Sequence, residues 1–332
     1  MKTCLALCCS FLSLVALGQQ GQGNVTVKQA VPLMGTDFEV TVVAPNEEIG
    51  YINIDEAVSE IQRIEKLISS WDPASETSMI NAKAGIAPVK VSQELYALIE
   101  RSLGISAITE GAFDITYATL DGLWKFDGSM VKVPSAEALK GAVSKIGYKK
   151  IVLDPENRTV FLPEAGMRIG FGAIGKGYAA DKAKELMIAK DVKGGIINAS
   201  GDLTTWGTKA TGEKWLVGIS NPMDREKVFS WLPVIESSVA TSGNYEKFIT
   251  IGGKRYSHIL DPRNGMPTEG ILSVSIFAKQ AELCDALATA VFVMGRDVGL
   301  HMINQLDGVE AVVVDAGHRV HRSSGIIFDT NQ

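Results

Sequence analysis

Cysteine is scarce in this chain, and its placement makes it scarcer still. Of four cysteines, Cys4, Cys8 and Cys9 fall within the first ten residues, and only Cys284 lies beyond them. If the N-terminal segment is removed, no internal disulfide can form. A folded chain of this size buries about 75% of its unfolded surface, so neither disulfide nor metal is needed merely to hold it together. No CxxC pair or Cys/His spacing suggests zinc. A lone Cys beside apolar neighbours reads as a small core residue. Basic excess is missing too: 32 Lys and Arg stand against 38 Asp and Glu, a net charge of -6. That balance argues against a nucleic-acid binder, which needs a basic face. Beyond the N-terminus no stretch reaches the ~18 uninterrupted apolar residues of a membrane span. Only four histidines exist: His258, His301, His318 and His321.

What is present is the composition of a soluble globular protein, 46% hydrophobic and 21% charged over 332 residues. That length suggests one large domain or two interlocked ones. Residues 1–18 read as a secretory signal peptide. Lys2 precedes an apolar run from Cys4 to Leu17, and Ala16 and Gly18 supply the small residues a signal peptidase requires. Cys8 and Cys9 sit inside the run, too early for a good lipoprotein site, so a soluble exported form is favoured over a lipid anchor. The mature chain, 19–332, shows no repeat and no clear linker.

Periodicity predicts a strand over 37–44 and an amphipathic helix over 53–70 that ends before Pro73. Ser92 reads as the N-cap of a further helix, and a short helix is expected over 135–146. Strands are expected at 148–153 and 158–162, then a helix from about Tyr178 to Ala189. Further strands are expected near 194–199, 214–219, 237–241, 246–251 and 271–277, and a final helix from about Glu282. Helices and strands are mixed without strict alternation, which favours an α+β fold with antiparallel sheet.

Three glycine-rich segments could carry chemistry. Ile169-Gly-Phe-Gly-Ala-Ile-Gly-Lys-Gly-Tyr178 enters a helix, where backbone amides and Lys176 could cradle phosphate. It is neither a dinucleotide fingerprint nor a Walker loop, and taken alone it reads equally as a tight strand-to-helix connection. The second segment, 194–202, is a buried strand ending in a polar turn. In the third, Asp261-Pro-Arg-Asn-Gly265 is a turn by composition, and His258 precedes it at a strand end. A histidine set among Tyr, Ser, Asp and Arg suits acid–base work better than one in a tail, though single histidines are often structural. Asp285 and Thr289, one helical turn apart, offer hard oxygen ligands suited to Mg²⁺, but their spacing fits an ordinary helix start equally well.

Taken in order, Leu33-Met-Gly-Thr36, Ile68-Ser-Ser-Trp71, Gly111-Ala-Phe-Asp-Ile-Thr116, the 170–178 segment, Asn198-Ala-Ser-Gly-Asp202, the His258–Gly265 stretch and Cys284-Asp-Ala-Leu-Ala-Thr289 resemble the ApbE-type FAD:protein FMN transferases, once described as thiamine-biosynthesis lipoproteins. Each motif is weak alone, while seven in order are specific, and they run from about residue 30 to 328. The resemblance implies a T-fold-like α+β enzyme facing the periplasm. It would bind FAD as substrate with Mg²⁺ and transfer FMN through a phosphoester to a Thr or Ser of an acceptor protein, releasing AMP. By position it implies Met34, Trp71, Ala112, Phe113, Asp114, Gly170, Lys176 and Ile259 at the FAD, and Asp285, Thr289 and the Ala173 carbonyl at the metal. His258 would be the base on the acceptor hydroxyl. Many relatives read Asp-Leu-Gly where this chain has Gly170-Phe-Gly172, so a carboxylate contact is missing there. Two rival readings remain at this stage: an FAD pyrophosphatase giving FMN and AMP, and a non-catalytic flavin-binding protein.

The leader makes a direct prediction. Mass spectrometry of the exported protein should find a chain beginning at or near Gln19 with no acyl group. An intact Met1 or an acylated cysteine would refute it.

Overall fold

The computed structural model describes residues 23–221 and 224–326, with side chains described outside 219–234. The expected signal peptide, 1–18, lies outside the described residues. Among the described residues no helix is long and apolar enough to cross a membrane.

The chain opens with a hairpin of β1 (Val25–Leu33) and β2 (Thr36–Ala44), then α1 (Glu47–Ile68) and α2 (Glu76–Ala82). Next come β3 (Val89–Lys90), α3 (Gln93–Ile108), a 3₁₀ turn Ile115–Leu120, α4 (Ala136–Val143), β4 (Val152–Asp154) and β5 (Thr159–Phe161). The centre holds α5 (Gly175–Ala189), β6 (Gly194–Ala199), β7 (Asp202–Gly207), the ribbon of β8 (Trp215–Asn221) and β9 (Asp224–Val234), and β10 (Ser238–Gly243). The last part is the hairpin of β11 (Phe248–Ile251) and β12 (Lys254–Ser257), then β13 (Ile271–Ala278), α6 (Ala281–Met294), α7 (Arg296–Ile303), β14 (Glu310–Asp315) and β15 (Val320–Arg322).

Eight strands form one sheet in the order β1-β2-β6-β7-β10-β13-β14-β15. Every pairing in it is antiparallel. The fold class is therefore the expected α+β with a mainly antiparallel sheet. Helices α1, α5 and α6 cover the sheet. Alternating apolar positions turn Phe38, Val40 and Val42 of β2 inward, and these are buried with Ile54, Ile61 and Ile64 of α1. Helix α1 runs longer than its apolar stripe suggested, because Asn46 caps it by accepting the Ile49 N–H at 2.9 Å. Ser92 and Ser135 cap α3 and α4 in the same way.

Two expectations need correction. Residues 148–150 form a 3₁₀ turn, not the start of a strand, and only 152–154 pair. The cause is the carboxylate of Asp114, which takes the Tyr148 N–H at 2.7 Å and withdraws it from any ladder. The helix from Ala281 is also not the last: α7 follows directly, after a break at Gly295 with φ of 84°.

Helices α5 and α6 cross at an unusually short distance. A Cβ on Gly177 would overlap the Ala281 carbonyl and approach the Glu282 nitrogen to 2.8 Å. Asp181, one turn along α5, accepts the Ala281 N–H at 3.0 Å and the Glu282 N–H at 2.9 Å, so it caps α6 from outside that helix. Gly177→Ala should therefore destabilise the protein by about 1–3 kcal/mol, the usual cost of overpacking against unyielding backbone. Urea unfolding followed by circular dichroism checks this, and an unchanged midpoint would show that the helices can separate freely.

Candidate functional site

The α5–α6 crossing sets the chemistry above it. Because α6 lies against Gly177, the Gly177 N–H donates to Asp285 Oδ2 at 3.1 Å. That N–H belongs to the first turn of α5, whose donors have no partner inside the helix, and Asp285 satisfies it. The Ala173 carbonyl stands just ahead of the N-cap Ile174, and no backbone N–H bonds it. Thr289 follows Asp285 by one turn on the same face of α6, and its Oγ1 lies 3.4 Å from Ser242 Oγ. Lys176 reaches between two strongly buried carboxylates, with Nζ 2.9 Å from Asp202 Oδ2 and 3.5 Å from Asp285 Oδ1. Asp202 is fixed in turn by the Thr241 N–H, at 3.2 Å from its Oδ1.

Burial pushes the Asp285 carboxyl above its ordinary value; Lys176 opposes the shift and Asp202 adds to it. Burial alone would lower Lys176, but the charges of Asp202 and Asp285 override it and hold the ammonium well above the usual lysine range. The result is a dry, charged corner whose oxygens are hard donors.

His258 stands on the opposite side, one residue past the end of β12. Its backbone N–H and its Nδ1 both lie 3.0 Å from the Lys247 carbonyl. A carbonyl can only accept, so Nδ1 carries the proton and Nε2 keeps the lone pair of the neutral ring. Burial lowers the imidazole below its ordinary value; the Lys247 carbonyl resists this, and the Lys247 and Lys176 charges reinforce it. The edge of the ring meets Phe126, with centroids 6.4 Å apart.

Between these walls lies a cavity of about 460 Å³. It brings together Met34, Trp71, Ala112, Phe113, Asp114, Ala173, Lys176, His258, Ile259, Asp285 and Thr289. Local structure explains how several of them arrive. Met34 and Gly35, with φ of 51° and 72°, form the two-residue turn between β1 and β2 and present Met34 at the rim. Ser69 Oγ accepts the Trp71 and Asp72 N–H groups, and Trp71 stands 78% exposed at the mouth. Gly170 is not among the lining residues; its N–H bonds the Ile115 carbonyl at 2.9 Å behind the wall. Asp114 lines the cavity, but its oxygens already accept from Thr116 N, Thr116 Oγ1 and Tyr148 N at 2.7–2.8 Å. It orders the loop that carries Ala112 and Phe113, and little of its carboxylate is left for a ligand.

The other histidines lie elsewhere: His321 Nε2 is 2.9 Å from Asp315 at the far edge of the sheet, and His301 and His318 do not line the cavity. Sequence reasoning assigned no role to Asp202, Tyr117, Ser242 or Lys247, all of which line it. Asp202 ends a motif already singled out, and Tyr117 directly follows another. Lys247 carried no local signal, since it acts through a backbone carbonyl.

Among the described residues no three His, Cys, Asp or Glu side chains converge as a complete metal cage. Asp285, the Thr289 hydroxyl and the free Ala173 carbonyl form an incomplete oxygen set. That suits Mg²⁺, which takes one or two carboxylates and fills its remaining positions with water and phosphate.

The comparisons with known proteins identify the family. The ApbE family profile matches residues 34–313. A protein of Treponema pallidum named FAD:protein FMN transferase is 34% identical over 312 residues, covering 89% of this chain and 86% of that one. A Klebsiella pneumoniae protein of the same name is 30% identical, covering 80% and 82%. The crystal structure of the ApbE protein of Thermotoga maritima superposes with a TM-score of 0.84 at 31% identity, covering 90% of this chain and 97% of that one. The chain belongs to the ApbE family.

Proposed function

We propose that this protein is an FAD:protein FMN transferase that passes FMN from FAD to a Thr or Ser hydroxyl of an acceptor protein. The observation that carries the reading is the arrangement across one cavity. The half-buried Lys176 ammonium between the buried Asp202 and Asp285, with Thr289 beside it, lines the same cavity as an imidazole whose Nε2 keeps its lone pair. The names of the Treponema and Klebsiella relatives support it.

In the reaction the acceptor oxygen forms a bond to the FMN phosphorus. The bond from that phosphorus to the bridging oxygen breaks, and AMP leaves with the electron pair. His258 Nε2 takes the hydroxyl proton as the new bond forms. Lys176 offsets negative charge on the diphosphate. Met34, Phe113 and Trp71 provide apolar and aromatic surface for flat rings. Asp285, Thr289 and the Ala173 carbonyl would hold Mg²⁺, whose contribution is to neutralise phosphate oxygens. Export to the periplasm, with a soluble mature form, is part of the same proposal and rests on the leader sequence.

Incubation with FAD and Mg²⁺, with and without a candidate acceptor, tests the reading. Flavin-labelled acceptor supports it. Free FMN and AMP in both arms indicate a hydrolase, and unchanged FAD indicates a carrier.

Asp285→Ala should abolish turnover even at saturating Mg²⁺ while the circular dichroism spectrum is retained. Wild-type activity in this variant, or in wild-type enzyme treated with chelator, would sink the metal assignment.

His258→Asn should slow transfer on the order of 10²-fold or more, the scale of a lost general base, while FAD still binds. The wild-type rate should fall as the imidazole protonates at low pH. Because the site depresses that group, the acid limb should lie below the ordinary histidine value of about 6.5. A pH–rate profile decides it, since a merely structural histidine would leave the limb in place in the variant.

A further inference from the structure

Among the polar side chains that line the cavity without a role in the scheme above is Tyr117. Tyr117 sits in the 3₁₀ turn Ile115–Leu120, which Asp114 caps; the Tyr117 N–H bonds the Asp114 carbonyl at 3.0 Å. The ring is thus held by the same clamp that orders Ala112 and Phe113. Its hydroxyl lies over the glycine-rich segment. A Cβ built on Gly172 would fall well inside contact distance of the Tyr117 oxygen, yet lie 3.7 Å from the ring carbon bearing it. A Cβ on Gly170 would be 3.9 Å from the same oxygen. The space beside Gly172 is thus filled by the phenol oxygen, and only that oxygen conflicts with a side chain at 172, whereas at Gly170 the nearest group is the Ala118 methyl at 3.0 Å. Burial raises the phenol above its ordinary value, and the nearby Gly172 N–H works against that shift. The hydroxyl proton remains, and among the described residues no protein acceptor takes it. Tyr117 lines the cavity next to Ala173 and within the field of Lys176 and Asp285, the end assigned to the diphosphate.

We propose that Tyr117 is a substrate-binding residue whose phenol donates a hydrogen bond to a diphosphate oxygen of the dinucleotide, and that Gly172 is glycine so that this hydroxyl can be there. The inference rests on the dinucleotide reading of the cavity and adds a donor to it. A prepositioned donor to a charged oxygen is the stronger kind of hydrogen bond, and losing it should weaken binding on the order of ten-fold or more.

The test is fluorescence titration of the full-length mature protein with FAD, ADP and riboflavin in the presence of Mg²⁺. ADP carries the diphosphate without the flavin, and riboflavin the flavin without phosphate. Tyr117→Phe should raise the Kd for FAD and for ADP about ten-fold and leave riboflavin unchanged, with the thermal midpoint retained. Gly172→Ala should weaken ADP similarly, because the new methyl group evicts the hydroxyl. The double variant should bind ADP no worse than Tyr117→Phe alone, since the ring carbon leaves room for the methyl group. Unaltered ADP binding by Tyr117→Phe would overturn the inference. So would a loss confined to riboflavin, or a Gly172→Ala penalty that persists undiminished in the Phe background. If the wild-type protein binds none of the three, the dinucleotide reading itself falls, and this inference with it.

Discussion

One ammonium group, that of Lys176, lies between two carboxylates that the fold has removed from water, and the active cavity is built outward from it. Asp202 and Asp285 are 4% and 3% exposed, so leaving either unpaired would cost several kcal/mol. Lys176 satisfies both at once, at 2.9 and 3.5 Å. In doing so it ties together the start of β7, the first turn of α5 and the first half of α6. The ion cluster can form only because Gly177 lets α6 approach α5 backbone to backbone, and only because Asp181 supplies the capping that α6 lacks in its own sequence.

The crossing has a second consequence. Asp285 takes the Gly177 N–H, a first-turn donor with no partner inside α5, and the Ala173 carbonyl lies just ahead of that helix. A packing constraint thus yields a carboxylate, a hydroxyl and a carbonyl oxygen that face one space. The opposing wall follows different rules. His258 hangs from the Lys247 carbonyl, contributed by the chain just before β11, and that single acceptor determines which ring nitrogen can take a proton. Charge neutralisation and proton removal are therefore served by segments anchored independently, as phosphoryl transfer requires when catalysis is mainly positioning and electrostatics.

Much of this was legible before any coordinates. The apolar stripe of α1, the cap at Ser92 and the short helix after Ser135 are local signals, and they appear where expected because short-range hydrogen bonds and 3.6-residue periodicity do not depend on distant chain. Asp285 and Thr289 were recognisable as a pair for the same reason: four residues on a helix share a face. The 148–150 segment was misread because its neighbours looked like a strand, while the deciding partner was Asp114, 34 residues earlier. Helix α7 escaped notice because it follows α6 across a single glycine, with no polar break to mark it.

The sequence by itself determined the elements, the class of fold and the types of side chain available for phosphate chemistry. It could not show that Asp202 and Asp285 share one lysine, that Asp114 spends its carboxylate on backbone rather than on ligand, or that Gly170 lies behind the cavity wall. Nor could it place the Tyr117 hydroxyl above Gly172. Those facts depend on distances between residues tens of positions apart, which sheet register and the α5–α6 crossing set. Local propensity acts over a few residues, whereas a site of this kind exists only where several distant segments are packed to within hydrogen-bonding distance.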